Sequence, residues 1–351
     1  MLRSILSKVL NVDLDLDRVW LQASLPVRSG GLGVRRSTQL APSAYLASAA
    51  GCSTLLQQIV RPPALICHNA NVDSALHIWS SGHSQPPPSL PDSICQRNWD
   101  GPHIEATFSA LLNQASDDQA ASRLLAVSCS ESGAWINTLP IAALGLRLSD
   151  EAVRVAASLR LGAPLCSPHK CSGCGADVCV YGVHGLSCRF SKGRHLCHSS
   201  LNDIVQRPLE SAKIPCHLEP SGLFRSDGKR PNGASLVPWK GGKVLVWDVT
   251  CSDTLAHSNT SLAVREPGAV AADAEYRKTL KYGHLSSSHC FVPIGVETLG
   301  FVGKEVRCFF KEDSHRIEKE SDDHVAFQHL IQRISVAIQI GNTVSVLGCL
   351  G

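Results

Sequence analysis

Four residues between positions 171 and 188 have the types and spacing of a metal site. Cys171, Cys174, His184 and Cys188 form the pattern C-x2-C-x9-H-x3-C. Zinc binds four sulfur or nitrogen ligands in a tetrahedron, and two short turns that supply two ligands each commonly provide them. Because protein would fill all four positions and leave none for water, the pattern predicts a structural zinc site rather than a catalytic one.

Further Cys and His residues near this pattern leave the ligand set open. They are Cys166, His169, Cys179, His195, Cys197 and His198. The alternative to a metal site is a group of ordinary buried thiols, since the chain contains 15 cysteines. The short spacing within each ligand pair favours zinc over that alternative.

A second set of residues could carry hydrolytic chemistry. Asp248 interrupts KVLVWDVT (243–250), which otherwise has the pattern of a buried strand, and a buried carboxylate is costly unless it is paired or binds a metal. Glu275, Lys278 and Lys281 follow near one side of a predicted helix. Two carboxylates and a lysine could hold Mg²⁺ or Mn²⁺ and stabilise charge on a phosphate. A plain Asp248–Lys278 salt bridge explains the spacing equally well, and a solvated helix face explains Lys281.

The elements that must position these residues change in character after Gly162. We predict a helical region at 1–162 with a Pro-rich loop at 84–93, a Cys/His-rich knuckle at 166–198 and a small α/β domain at 199–351. The last range is predicted to contain a helix at 201–213, a hairpin that turns at Gly241-Gly242, a helix at 262–283, a strand at 289–298 and a helix from about 324 to 340. The fold class is therefore a multi-domain mixture of α+β and α/β.

Local signals predict several helix ends. Ser116 and Gln119 have the spacing of a capping box. Gly162 follows a helical run that begins near Ser149, and Gly341 follows the C-terminal run. We therefore expect helices to begin near the two serines and to end at the two glycines.

The composition predicts a globular protein with reduced thiols. Hydrophobic residues make up 44% of the 351 residues, which excludes a disordered chain, and a net charge of +3 is too small to indicate nucleic acid. The local distribution is more informative, since residues 189–243 contain ten Lys or Arg and four Asp or Glu. No secretory signal and no apolar run of membrane-spanning length is evident, so we expect an intracellular protein, nuclear or cytoplasmic, without a membrane partner.

One long run of this sequence resembles a known protein family. The run is HGLSCRFSKGR…LND…LEPSGLFRSDGKRPNG…PW…WDVTCSDT…AEYRKTLKY…FVPIGVETLG. It is similar to the C-terminal part of non-LTR retrotransposon proteins with a restriction-like endonuclease, and to element-derived reverse-transcriptase-like proteins of invertebrates. WLQASLPVRSGGLGVRRSTQLAPSAYLASAAG at 20–51 resembles the segment that follows the polymerase in such elements. The resemblance implies a CCHC zinc knuckle and a PD-(D/E)xK-type nuclease that acts on DNA, with element RNA as a further partner.

The resemblance assigns roles to particular positions. It implies that the knuckle ligands are the four residues of the C-x2-C-x9-H-x3-C pattern. It implies that the nuclease positions are Pro231 with Asn232, then Asp248 on Mg²⁺, then Lys278 and Lys281. Asn232 stands where the family has Asp, and an amide oxygen brings no charge to a metal. We therefore expect a weakened catalytic metal site.

Other positions concern the knuckle and the nucleic acid. Cys179 stands where the family tends to have an acid, a change that would either alter the knuckle or be neutral. The Lys/Arg-rich stretch would contact phosphates, and we expect Lys192, Arg194, Lys229 and Arg230 to be among the contacts.

Three functional hypotheses follow. The first is a Mg²⁺-dependent DNA-nicking endonuclease, the second a nucleic-acid-binding protein that does not cleave, and the third an unselected relic of an element. No polymerase signature is present, because Asp117-Asp118 and Asp322-Asp323 lack flanking apolar strands and have the context of solvated acids. We expect a retained fold with weak or absent cleavage.

Overall fold

The N-terminal part of the protein is helical. The computed structural model describes residues 2–59, 70–221, 223 and 230–350. The α-helices before residue 162 are α1 (Leu2–Leu10), α2 (Asp17–Ala23), α3 (Ser37–Ile59), α4 (Ala70–Ser80), α5 (Gln96–Asn113), α6 (Asp118–Val127) and α7 (Asp150–Leu161). Residues 84–91 form neither helix nor strand, as predicted, because prolines lack an N–H donor and fix φ.

The helix ends are partly as predicted. The Ser149 hydroxyl accepts a hydrogen bond from the Ala152 N–H at 3.2 Å, and Gly162 ends α7 with φ of 62°. The predicted capping box at Ser116 is wrong, because the N-cap of α6 is Asp117, whose carboxylate accepts from the Ala120 N–H at 2.8 Å. This hydrogen bond, first among several causes, lowers the pKa of Asp117. A charged cap suits the positive end of a helix dipole better than a hydroxyl does.

A four-stranded mixed sheet organises the C-terminal half. Its strands are β3 (Cys216–Leu218), β4 (Gly233–Lys240), β5 (Lys243–Ser252) and β6 (Cys290–Glu297), in the spatial order β3-β4-β5-β6. The first three run antiparallel, and β6 runs parallel to β5. The β4–β5 hairpin is confirmed, and its turn residues Gly241 and Gly242 have φ of 57° and 75°. Positive φ at both positions is what a tight two-residue hairpin turn requires.

The connection from β5 to β6 differs from the prediction. Two helices, α10 (His257–Ala263) and α11 (Ala269–Lys281), replace the single helix expected at 262–283. Gly268 separates them with φ of 85°, a conformation that strains other L-residues. A parallel strand pair needs a crossover, and α11 supplies it by packing on β5 and β6.

Three further helices complete the C-terminal half, of which the first two pack on strands of the sheet and the third packs on those two helices. They are α9 (Lys192–Ser211), α12 (Lys304–Ser321), which the sequence reading missed, and α13 (Ala326–Leu347). The prediction that the last helix ends at Gly341 is wrong, because α13 continues through it. Gly341 lies against α9, where a Cβ would come within 2.7 Å of the Cys197 Cβ. Glycine is there for close helix packing rather than as a helix stop.

Among the described residues, α13 is the one helix long and apolar enough to cross a membrane. Its apolar window is 67% buried inside the protein, where it contacts α9 and α12. By length and composition alone, α13 is therefore an exception to the expectation that no apolar run reaches membrane-spanning length. Burial on this scale is typical of a core helix.

Side chains from all three predicted ranges, 1–162, 166–198 and 199–351, pack in one apolar cluster. Val155 of α7, Leu186 of α8 (His184–Ser187) and Val346 of α13 are buried together in it. Each such side chain stabilises the fold by about 1.5–3 kcal/mol when it leaves water. The Cys/His-rich stretch is therefore built into the body of the protein.

Alternation along β5 positions the candidate catalytic acid. Trp247 and Val249 are buried in a cluster with Leu201 of α9 and Phe310 of α12. Successive side chains of a strand point to opposite faces, so Asp248 points the other way, towards α11.

Candidate metal cluster and basic cleft

Two tight turns bring the predicted zinc ligands together. Cys171 and Cys174 lie between the short antiparallel strands β1 (His169–Lys170) and β2 (Asp177–Val178). The Cys171 carbonyl accepts from the Gly175 N–H at 2.8 Å, and Gly175 has φ of 73°. His184 begins α8, and the Cys188 N–H donates to the His184 carbonyl at 3.0 Å. Each pair is therefore held by its own backbone hydrogen bond.

The donor atoms are spaced for a single ion. The Cys171 and Cys188 Sγ atoms are 3.9 Å apart, and the Cys174 Sγ is 3.1 Å from the His184 Nε2. Bond lengths of about 2.3 Å to sulfur and about 2.0 Å to nitrogen place two sulfurs about 3.8 Å apart around tetrahedral zinc, and sulfur and nitrogen about 3.5 Å apart. The first spacing fits, and the second needs a widening of a few tenths of an ångström. These residues could hold zinc as a structural ion.

A fifth donor, which the sequence reading missed, lies in the same cluster. Cys349 follows α13, and the ligand atoms of Cys171, His184, Cys188 and Cys349 all lie within 4.8 Å of one another. Cys171, Cys188 and Cys349 are all buried, whereas Cys174 is partly exposed. Cys349 stands alone near the C-terminus, so no local spacing pointed to it.

The other nearby candidates take different positions. Cys166 packs beside the cluster, but Cys179 is exposed. The His169 ring lies 3.2 Å from the Cys349 carbonyl oxygen through its Nε2. The remaining three, His195, Cys197 and His198, line a separate cavity. The ligand set left open by the sequence is thereby narrowed to five donors.

Asp248 is buried and paired with two lysines. Its side chain is 5% exposed, and its Oδ2 lies 2.7 Å from the Lys278 Nζ and 3.7 Å from the Lys281 Nζ. Both lysines come from α11, which crosses over β5. The salt-bridge interpretation of Asp248 therefore describes this structure, and Lys281 joins the pair although its spacing alone suggested a solvated face.

Asn232 lies beside Asp248 but is used by the backbone. Its Oδ1 accepts a hydrogen bond from the Val249 N–H at 2.6 Å, and its own N–H donates to the Trp247 carbonyl at 2.9 Å. The side chain thus ties β4 to β5 across the residue that the resemblance assigns to Mg²⁺. An amide oxygen engaged in this way is a poor metal ligand, since it is neutral and already accepts a hydrogen bond.

His198 of α9 joins this group, and sequence reasoning placed it among the zinc candidates instead. The pKa of His198 is lowered by burial, and Asp248, Lys278 and a hydrogen bond with the Asn232 side chain act on it as well. Burial thus favours the neutral form of this imidazole, which can accept a proton.

Glu275 has a different place from the one expected. Its carboxylate oxygens accept from the backbone N–H groups of Glu305 at 3.3 Å and Val306 at 3.4 Å, at the start of α12. Burial raises the pKa of Glu275 to about 7. The geometry makes Glu275 a helix cap, and it gives no support to a role in the metal site of Asp248.

A basic cleft opens beside the Asp248 group. Two cavities of about 530 and 520 Å³ share Arg194, Thr250 and Lys278 in their walls. Arg189 lines the first, and Arg277 lines the second. The walls of this cleft therefore carry four cationic side chains, Arg189, Arg194, Arg277 and Lys278, among the described residues.

The predicted nucleic-acid contacts are scattered relative to this cleft. Arg194 lies in its wall, Lys192 is exposed at the start of α9, and Arg230 pairs with Glu219. Lys229 lies outside the described residues.

An acid also lies in the second cavity. Burial raises the pKa of Asp253 to about 6, while the Leu255 N–H and the Thr298 hydroxyl donate to its Oδ1 at 3.0 and 3.1 Å. Asp253 follows β5 and reaches the cleft from the strand end. The α11 lysines pair with Asp248, and none of the described salt bridges joins either of them to Asp253.

No protein-family model matches this chain, and no curated protein gives a significant match.

Proposed function

We propose that this chain is a nucleic-acid-binding protein with an endonuclease-like site that cleaves DNA weakly or not at all. Two contacts carry the proposal: the Lys278 Nζ lies 2.7 Å from the Asp248 Oδ2, and the Asn232 Oδ1 accepts a hydrogen bond from the Val249 N–H. A site that binds Mg²⁺ for hydrolysis needs charged oxygen ligands that are free to coordinate. Here one carboxylate is neutralised and the second position carries no charge.

The sequence resemblance supports this assignment. The chain resembles non-LTR retrotransposon proteins with a restriction-like endonuclease. By that resemblance, residues 166–198 correspond to a CCHC knuckle and residues 199–351 to the nuclease that follows it. A hairpin that holds Asp248, and a following helix that holds Lys278 and Lys281, is the arrangement the resemblance implies.

The basic cleft supports a nucleic-acid partner. Four cationic side chains line the two cavities: Arg189, Arg194, Arg277 and Lys278. Helix α9 provides Arg194 and also two histidines of the wall, His195 and His198. Phosphate contacts from such side chains give affinity without sequence preference. DNA is the partner we propose, with element RNA as a second nucleic acid and the nucleus or cytoplasm as the compartment.

Residual Mg²⁺- or Mn²⁺-dependent nicking is the second candidate. Asp248 is buried near the cleft, and Lys278 could turn from Asp248 to a bound phosphate once a cation takes its place. In that event Asp248 would bind the cation, His198 would accept a proton as a general base, and the lysines would stabilise charge on the phosphate.

Nicking of supercoiled plasmid by the zinc-loaded full chain in Mg²⁺ or Mn²⁺ distinguishes these candidates. We expect no nicking above background from the natural chain, and nicking from Asn232→Asp that disappears in Asn232→Asp/Asp248→Asn. Asn113→Asp, on the exposed end of α5, adds the same charge elsewhere and is the matched control. Cation-dependent nicking by the natural chain, lost in Asp248→Asn, would instead establish the enzyme.

A further inference from the structure

The zinc cluster has more donors than a four-coordinate ion needs. Four of them, Cys171, His184, Cys188 and Cys349, have ligand atoms that all lie within 4.8 Å of one another. Cys174 lies 3.1 Å from the His184 ring nitrogen as a fifth. Zinc in structural sites takes four ligands, so Cys174 and Cys349 compete for one place.

The backbone holds Cys349 against the knuckle. The Ser172 N–H donates to the Cys349 carbonyl at 3.3 Å, and the Ser172 hydroxyl donates to the Gly348 carbonyl at 3.2 Å. The Cys349 N–H donates to the Val346 carbonyl at 3.1 Å, at the end of α13. The C-terminal segment is therefore fixed from both sides, which directs the buried thiol into the cluster.

Burial favours Cys349 over Cys174 as a ligand. Cys171, Cys188 and Cys349 are 3%, 4% and 2% exposed, whereas Cys174 is partly exposed. A buried thiol that binds no metal gains little from facing two other thiols, while a buried thiolate on zinc is charge-compensated.

We propose that Cys349 is a zinc ligand and that Cys171, His184 and Cys188 complete the set. On binding, the Cys349 thiol releases its proton to solvent, and the thiolate sulfur donates an electron pair to the ion. Zinc then joins residues 171–188 to the end of α13 and fastens two distant parts of the chain.

This connection reaches the cleft. Asn342 and Ser345 of α13 line the same cavity as Arg194 of α9, and the Ser191 hydroxyl donates to the Ser345 hydroxyl at 2.8 Å. A zinc ion that holds the end of α13 therefore also steadies one wall of the cleft. The knuckle acts as a clamp on the C-terminal helix in addition to any contact with nucleic acid.

Cobalt substitution of the purified full chain tests the proposal, because Co²⁺ bound to thiolates absorbs in proportion to their number. The variants are Cys349→Ser, Cys174→Ser and the double variant, with Cys308→Ser, an exposed cysteine of α12, as the control. We expect Cys174→Ser to keep the full thiolate absorption, and the double variant to lose about one third of it, as one of three thiolates. An unchanged spectrum on removing Cys349, both from the natural chain and from Cys174→Ser, overturns the proposal.

A second measurement uses the natural chain alone, so its outcome does not depend on whether a variant folds. Zinc protects its ligand thiols from alkylation, so mass spectrometry after iodoacetamide treatment compares each cysteine with and without a chelator. We expect chelation to speed modification of Cys349 by roughly tenfold or more, as for Cys188, because the freed thiol becomes reactive. Cys197, buried but outside the cluster, should change much less. Equal rates at Cys349 with and without zinc would contradict ligation.

Discussion

Lys278 of α11 reaches across to Asp248 of β5, and their Nζ and Oδ2 atoms are 2.7 Å apart. The pair sits at the position where the sequence resemblance implies a metal ion. Lys281 approaches the same oxygen at 3.7 Å, so two lysines of α11 compensate the charge of the carboxylate. The same geometry that stabilises the domain thus competes with a bound cation.

Removing this compensation should destabilise the fold. Lys278→Met leaves a nearly buried carboxylate with only the more distant Lys281, and we expect a loss of roughly 1–3 kcal/mol in the free energy of unfolding, below the cost of a fully unpaired buried charge. Urea denaturation measures it. Lys278→Met/Asp248→Asn should recover most of the loss, and an equal loss in both variants would show that packing, rather than charge, is responsible.

Restoring the second carboxylate should create a cation site that is visible without catalysis. In Asn232→Asp the new carboxylate lies beside Asp248, so Mg²⁺ relieves their repulsion and stabilises the folded state. We expect millimolar Mg²⁺ to raise the melting temperature of this variant by a few degrees, and to leave the natural chain and Asn113→Asp within error. An equal Mg²⁺ effect on all three would mean nonspecific binding.

Arg194 should contribute to nucleic-acid affinity through charge. Because it lines both cavities, Arg194→Ala is expected to weaken binding to DNA of any sequence and to reduce the slope of log affinity against log salt by about 1. Fluorescence anisotropy with labelled duplexes at several salt concentrations measures both effects. Arg97→Ala, at an exposed position of α5, is the matched loss of charge and should change neither the affinity nor the slope.

Asp313 should make stability depend on pH. Burial raises its pKa to about 7, and both carboxylate oxygens lack a hydrogen-bond partner within the described structure. Because the folded state holds the proton more tightly than the unfolded state, stability should be full below the unfolded pKa near 4. It should then fall by roughly 1.4 kcal/mol per unit as pH rises towards 7.

Asp313→Asn tests this pH dependence. The variant should be more stable than the natural chain at pH 8 and indistinguishable from it at pH 4, as measured by urea denaturation at each pH. A gain of the same size at both values would indicate better hydrogen bonding rather than relief of a buried charge.

Replacing Gly341 by alanine should destabilise the protein, although Gly→Ala usually stabilises a helix. Gly→Ala in an exposed helix interior stabilises by about 1 kcal/mol. At Gly341 a Cβ would lie 2.7 Å from the Cys197 Cβ, so we expect Gly341→Ala to lower the melting temperature. Gly51→Ala in α3, where nothing lies within 4 Å, should be neutral or stabilising. Stabilisation by both substitutions would show that α9 and α13 can separate freely.

The sequence by itself determined the local features of this protein. The hairpin turn at Gly241-Gly242, the limits of α7 at Ser149 and Gly162, and the two short ligand pairs were all predictable from neighbouring residues. These features depend on backbone conformations that one or two residue types permit, such as positive φ at glycine. Such preferences act within a few residues and need no knowledge of the rest of the chain.

Only the tertiary structure decided which distant residues meet. Cys349 lies among the candidate ligands at 171–188, Lys278 forms the ion pair with Asp248 that the sequence left as one of two alternatives, and Glu275 caps α12. Gly341 is read as a stop along the sequence but serves as a contact between α9 and α13. The physical reason is that burial, ion pairing and ligand sharing act between surfaces brought together by packing, and the spacing of residues along the chain does not decide among the available partners.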